Sequence, residues 1–207
     1  MKPAEIETAS FDIIDQEVGN HNFDESHWAI VRRMIHTTAD FEFKDMVRFH
    51  PGAIAAGIKA IRTGKMIITD TNMARVGIRS SALAQFGGSL KCYMNDPLIH
   101  EKAKSNGITR AKVAVDMAVS DMQDGIYVVG NAPTALLRLI ELSEVDKAHP
   151  ALIVGLPVGF VNAAESKAAL LEMDYPYISN IGRKGGSNLA ASVVNALIIL
   201  AGNEHGA

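Results

Sequence analysis

The residues best placed to do chemistry lie in one short stretch, Arg32-Arg33-Met34-Ile35-His36-Thr37-Thr38-Ala39-Asp40. A histidine with arginines one turn before it and a carboxylate one turn after it is an arrangement from which a proton donor working near neutral pH can be built, Asp40 being available to fix the tautomer. The helix carrying this stretch opens at Asp24, whose carboxylate caps free backbone N–H groups, and Glu25 adds favourable charge to the first turn. Trp28, Val31 and Ile35 share a core-facing stripe, whereas Trp28, Arg32, His36 and Asp40 recur at steps of four on the neighbouring one, which puts His36 at the edge of the buried face. A histidine that only packs has the same pattern, so the rest of the chain must decide between the two.

The totals bound what that rest can be. A chain of 207 residues fits a single domain with a sizeable core, divided here into a helical part over 1–64 and an alternating part over 65–207. With 48% apolar and 21% charged residues the composition is that of a soluble globular protein, and a net charge of −3 gives no global basic field, so no nucleic-acid partner is expected. Cys92 is the one cysteine, which excludes an internal disulfide and leaves a thiolate metal site unsupported. Residues 193–201 are the most apolar run, but Asn195 interrupts them and they are too short to span a bilayer. The start of the sequence has acids among its apolar residues and no signal-like run, so a cytoplasmic protein without a membrane partner is expected.

The elements that must position His36 follow in order. Ser10 is placed to cap a short helix ending at Val18 before Gly19, the His36 helix comes next, and Pro51 opens a third that runs to Arg62 and stops at Gly64. Three helices thus precede any clear strand. From Lys65 onward short apolar runs alternate with helices: Met66-Ile67-Ile68-Thr69, Leu90-Lys91-Cys92-Tyr93-Met94, Ile126-Tyr127-Val128-Val129, Leu152-Ile153-Val154-Gly155 and Pro176-Tyr177-Ile178-Ser179. This pattern predicts an α/β fold with a mainly parallel sheet of about five strands, helices on both faces, and the N-terminal helices over the strand ends. In such sheets ligands bind beyond the carboxyl ends of the strands.

The loops at those ends carry the remaining chemistry. Gly130-Asn131-Ala132-Pro133-Thr134 closes a strand and opens a helix, so its free N–H groups are placed to receive an anion. Gly182-Arg183-Lys184-Gly185-Gly186-Ser187 repeats that logic with two cations, Ser187 being able to cap the next helix and Arg183 to grip a carboxylate through parallel hydrogen bonds. Tight turns alone give the same residue types. Pro157-Val158-Gly159-Phe160-Val161-Asn162 offers an apolar wall before Glu165-Ser166-Lys167, Asp70-Thr71-Asn72 is another polar strand end, and Thr109-Arg110 presents a cation at a helix start. The seven histidines are scattered, none paired at a helical metal-binding spacing, so no metal is expected. Gly-x-Ser-x-Gly and Gly-x-Gly-x-x-Gly are both missing, which removes the usual support for hydrolase and nicotinamide readings. The residues alone describe a site for a ligand with several anionic groups and an apolar body.

Taken together, Arg33-Met34-Ile35-His36, the loop over 70–77, Gly130-Asn131-Ala132-Pro133-Thr134-Ala135-Leu136, Pro157-Val158-Gly159-Phe160-Val161 with Glu165-Ser166-Lys167, and Gly182-Arg183-Lys184-Gly185-Gly186-Ser187 resemble the precorrin-8X methylmutase family of cobalamin biosynthesis. The resemblance runs from about Ser10 to the last helix. It implies an isomerase that moves a methyl group from C-11 to C-12 of a precorrin-8 or cobalt-precorrin-8 macrocycle, giving hydrogenobyrinate or cobyrinate, with no redox cofactor. It implies His36 as the proton donor and Ser10 and Arg110 as substrate-contacting positions, in a homodimer with the site near the subunit interface; the reading of the strand-end loops adds Asn131, Ala132, Thr134, Arg183, Gly185 and Ser187 as substrate-binding positions. Two departures stand out: Ala9 where the family often has arginine, and Asn162 where glycine is common. The alternatives are a carrier of the tetrapyrrole that performs no chemistry and a nucleotide-binding α/β enzyme; the second lacks an acidic residue set to hold ribose or magnesium in a recognised motif.

Overall fold

The computed structural model describes residues 3–203. In chain order the elements are α1 (Pro3–Val18), α2 (Glu25–Thr38), α3 (Phe43–Met46), β1 (Val47–Phe49), α4 (Ala53–Arg62), β2 (Met66–Thr69), α5 (Asn72–Gly77), α6 (Ser80–Ala84), β3 (Ser89–Lys91), α7 (Pro97–Asn106), α8 (Arg110–Ala118), β4 (Ile126–Val129), α9 (Pro133–Glu144), β5 (Leu152–Gly155), α10 (Ala163–Leu171), β6 (Tyr177–Asn180) and α11 (Ser187–Asn203). They build one sheet in the order β1-β6-β5-β4-β2-β3, and every neighbouring pair is parallel except β1 with β6.

The five parallel strands lie on the five apolar runs of the sequence. Four of them, β2, β4, β5 and β6, are buried on both faces, which is why apolar residues follow one another there without alternation, whereas β3 at the sheet edge is largely exposed. Ile67, Ile126, Val128, Leu152, Val154 and Ile178 face a core shared with α2, α4 and α11. Their neighbours Ile68, Tyr127, Val129, Ile153 and Tyr177 face a second core against α7, α8, α9 and α10. The sheet therefore has helices on both faces, as the alternation requires.

Three local expectations are corrected. A sixth strand, β1, precedes the helix expected as the third, which is α4 and begins at Ala53, so the three expected helices do not all come before the first strand; Val47-Arg48-Phe49 has only three residues, with an arginine in the middle, and is a strand because its backbone pairs with β6 at the sheet edge. Ser10 is not a cap, because α1 begins about two turns earlier, at Pro3, and the Ser10 hydroxyl bonds back to the Ile6 carbonyl at 2.8 Å inside the helix. The second parallel strand is Ser89–Lys91 and ends before Tyr93, whose hydroxyl turns to Asp121.

Helix α2 starts as its sequence dictates, with Asp24 accepting from the His27 N–H at 2.9 Å. It ends at Ala39, left-handed at φ 52°, whose N–H returns to the Ile35 carbonyl at 2.7 Å. Trp28, Ile30, Val31, Met34 and Ile35 bury their side chains in the core they share with α11. The last turn of α2 thus points toward the carboxyl ends of the strands, where the loops of interest gather.

Candidate functional site

The order of the parallel strands reverses between β2 and β4, which opens a crevice at their carboxyl ends. In this chain that crevice is filled from within. Asp70, the residue after β2 and only 2% exposed, accepts from the Gly130, Asn131 and Ala132 N–H groups at 2.9, 2.8 and 2.8 Å. Burial pushes its carboxyl upward, and the three donors oppose that by stabilising the charged form. The expectation that these N–H groups await an external anion is therefore corrected for all three: a side chain of the same sheet already occupies them. A phosphate at this crevice would meet a carboxylate, which weighs against the nucleotide reading.

The same turn meets the start of α11. A Cβ on Gly130 would fall 2.6 Å from the Ser187 Cα, so only glycine permits the approach. Ser187 is the first residue of α11, and its hydroxyl pairs with the Thr71 hydroxyl at 2.8 Å while Thr71 caps α5 through the Ala74 N–H. On the other side, the Thr109 hydroxyl caps α8 and reaches the Thr134 hydroxyl at 3.1 Å. Arg110, exposed at the first position of α8, therefore sits beside the turn that presents Asn131, Ala132 and Thr134.

The loop from β6 to α11 is held from below by a buried cation. Lys167, on α10 and 1% exposed, donates to the Lys184 carbonyl at 2.6 Å and to the Asn180 side-chain oxygen at 3.2 Å. The Asn180 amide also donates to the Lys184 and Ile181 carbonyls, both at 2.9 Å. Burial lowers the Lys167 ammonium from 10.5 to about 8. Gly185 lies so close to the chain after β5 that a Cβ there would be 2.3 Å from the Leu156 carbonyl oxygen. With these contacts the loop exposes Arg183, whose guanidinium stands 5.6 Å from the Phe160 ring centre, and Phe160 and Val161 are 84% and 77% exposed. Cation and apolar wall are side by side.

Lys184 differs from the expectation of a free cation. Its ammonium binds Asp40 at 2.5 Å and Glu42 at 2.9 Å, which raises the lysine and lowers Asp40. Asp40 is consequently not the partner of His36. Past the left-handed Ala39 it leaves the helical stripe, caps the next turn through the Glu42 N–H, and faces the loop. His36 is exposed at the end of α2, its ring edge-on to Phe11 at 5.3 Å. Arg32 and Arg33 also stand over Phe11, and each has an acid on α1: Arg32 holds Asp15 at 2.6 Å and Arg33 holds Glu7 at 2.9 Å. Ser10, next to Phe11, belongs to this group.

The predicted residues thus fall into two groups tied together by backbone. One is Ser10 with His36 on α1 and α2; the other is Arg110, Asn131, Ala132, Thr134, Arg183, Gly185 and Ser187 on the strand-end loops. The Lys184–Asp40 pair joins them. Of the supports, Asp70 and Lys167 enter the sequence reading only as members of a strand-end loop and a family motif, with no role assigned, and Asn180 does not enter it. The available signal was their position: a carboxylate directly after an apolar run, and a lysine amid small helix residues with no acid at a facing step. Among the described residues no cluster of three His, Cys, Asp or Glu side chains could hold a metal ion, and no helix is long and apolar enough to cross a membrane.

A test of the buried cation follows from linkage. The folded chain releases the Lys167 proton near pH 8 and the unfolded chain near 10.5, so between those values the unfolded state binds more protons and wild-type stability rises with pH through this group. Relative to Lys167→Met, which has no proton to lose, the wild type should gain up to roughly 1.4 kcal/mol per pH unit across that window. Urea unfolding of both proteins measures it; parallel pH profiles would show that Lys167 is not desolvated.

The model for the family described as precorrin-8X methylmutase matches residues 5–200. A cobalt-precorrin-8 methylmutase of Priestia megaterium is 46% identical over 201 residues, covering 97% of this chain and 89% of the relative. Another from Salmonella typhimurium is 44% identical over 203 residues, with 95% of each chain covered. Among solved structures, the precorrin-8x methyl mutase of Thermus thermophilus superposes with a TM-score of 0.91 at 45% identity over 97% of both chains. The strand order, the loops gathered at the carboxyl ends and the match along nearly the whole sequence agree: this chain belongs to the precorrin-8X methylmutase family of isomerases.

Proposed function

We propose that the chain moves a methyl group from C-11 to C-12 of a precorrin-8 macrocycle, with or without cobalt, and that His36 is its proton donor. The observation that carries this reading is the pairing of an exposed histidine, at the end of a helix tied by Lys184–Asp40 to the strand-end loops, with an exposed cation on an apolar wall, Arg183 beside Phe160. A tetrapyrrole ringed by acetates and propionates needs that mixture of flat apolar surface and peripheral cations. In the rearrangement the bond from C-11 to the methyl breaks as the bond to C-12 forms. The formula is unchanged, so the step asks for no oxidant or reductant. A proton placed on a ring nitrogen near C-11 and C-12 withdraws electron density from the migrating bond and is returned once the methyl has moved.

In this reading Arg183 and Arg110 take peripheral carboxylates, while Ser10, Asn131, Ala132, Thr134, Gly185 and Ser187 line the remainder of the site. Asn131 and Ala132 contribute side chain, carbonyl and shape rather than N–H groups, because Asp70 takes those donors. The active form is a homodimer with the site near the interface. The exposure of two large apolar neighbours in the β5–α10 loop, Phe160 and Val161, supports a surface there that is covered in use.

His36→Ala should lose turnover by about two to four powers of ten while still binding product. His36→Asn should fail as well, since an amide can hydrogen-bond to a ring nitrogen but cannot deliver a proton. Following the corrin spectrum with metal-free and cobalt-containing substrates measures both; near-wild-type turnover by His36→Ala would remove the proton-donor assignment, whereas a wild type that binds product but turns over neither substrate would leave the carrier reading in front. Arg183→Ala and Arg110→Ala should each weaken binding by roughly 1.5–3 kcal/mol, the scale of a hydrogen bond to a charged group, and unchanged affinity in titration calorimetry would remove the carboxylate assignment. Sedimentation at micromolar concentration should give a dimer; a monomer that remains active would place the whole site on one chain.

A further inference from the structure

The family reading uses His36 and the strand-end loops, and leaves out Lys167, the one lysine buried to within 1% among the described residues. Burying an ammonium is unfavourable unless its donors are satisfied, and Lys167 spends them on backbone and amide rather than on a carboxylate. A lysine in this position does not stabilise the fold as an ion pair would. What it does is fix a carbonyl.

That carbonyl belongs to Lys184. The side chain of the same residue holds Asp40, two residues past the end of the helical turn whose last N–H, from Ala39, closes on Ile35. The neighbouring residues are fixed by main chain, with the Arg183 carbonyl accepting from Gly159 at 3.2 Å and the Gly186 N–H donating to Leu156 at 2.9 Å. Lys167 therefore sits under the residue at which the loop carrying Arg183 meets the helix carrying His36. The Lys184–Asp40 pair is half-exposed and adds little to stability. Its effect is geometric, and it depends on the loop backbone being held at the Lys184 carbonyl.

We propose that Lys167 is a positioning residue for the methyl transfer: by locking the Lys184 carbonyl from beneath, it sets the end of α2 against the β6–α11 loop and so fixes the distance between His36 and the cation on that loop. This rests on the reading of His36 as proton donor. Lys167→Met keeps length and packing while removing all three donors. Lys167→Gln keeps a donor on a shorter stem.

The test reads amide hydrogen exchange and turnover on the full chain. In Lys167→Met the Gly159, Gly186 and Ala39 amides should exchange at least threefold faster, with β2 and β4 amides unchanged. In an Asp40→Asn background the same substitution should no longer move Ala39. Turnover at saturating substrate should fall about ten- to hundredfold, the scale of a small misplacement of reacting groups, with KM within about threefold of wild type. The two substitutions together should lower turnover no further than the worse of them alone. Lys167→Gln should lie between, and it supplies the same readings if Lys167→Met does not fold. An Ala39 amide unaffected by either Lys167 variant, equal acceleration at every amide, or multiplicative losses of turnover would overturn the proposal. If the exchange pattern appears while both Lys167→Met and His36→Ala turn over normally, the fault lies in the His36 reading instead.

Discussion

The interaction on which the carboxyl end of this sheet depends is the Asp70 carboxylate on three successive N–H groups of the β4–α9 turn. A turn that opens a helix has donors with no intrahelical partner, and at a buried crevice each one left unpaired is unfavourable by about 1–3 kcal/mol. Asp70 follows β2, the neighbouring strand, so its side chain reaches all three across the switch in strand order. The charge suits the positive end of α9, and the contact joins two strands that are far apart in sequence. With the turn fixed, Gly130 comes against Ser187, Ser187 finds Thr71, and α5, α9 and α11 start from a common point.

Lys167 is the counterpart of opposite sign. Where Asp70 satisfies orphan donors, Lys167 donates to an inward-facing carbonyl of the β6–α11 loop, that of Lys184, which it shares with the Asn180 amide. Both ions are buried, and neither pairs with the other. The arrangement leaves the outer rim of the same loops free for ligand chemistry: Arg110, Arg183 and the apolar residues around Phe160 face outward because the backbone beneath them is already satisfied. A site for a large anionic ring needs that division, since flexible loops would lose much of the binding energy to ordering.

On the helical side, α1 does for the arginines what Asp70 does for the turn. Asp15 takes Arg32 together with the Trp28 indole N–H, and Glu7 takes Arg33, so both guanidinium groups are held over Phe11 next to His36. With their own acids opposite them these cations are less available to grip a substrate than Arg110 or Arg183.

By itself the sequence determined most of the elements and their order, because the signals are local: short apolar runs dictate parallel strands, the central ones buried on both faces, Asp24 dictates the start of α2, and glycines mark the sharp turns. It also determined which loops would meet, since in such a sheet all strand–helix loops leave from one end. Only the tertiary structure decided which polar groups are available there. The N–H groups after β4 look free until Asp70 is brought across from β2, 60 residues away in sequence, and Lys184 looks like a ligand cation until Asp40 leaves its helix at a left-handed alanine and takes it. Edge strand β1 exists for the same reason, having too few residues to declare itself before β6 offers a partner. Pairing across the fold is a property of distance between remote residues, and spacing along the chain does not contain it.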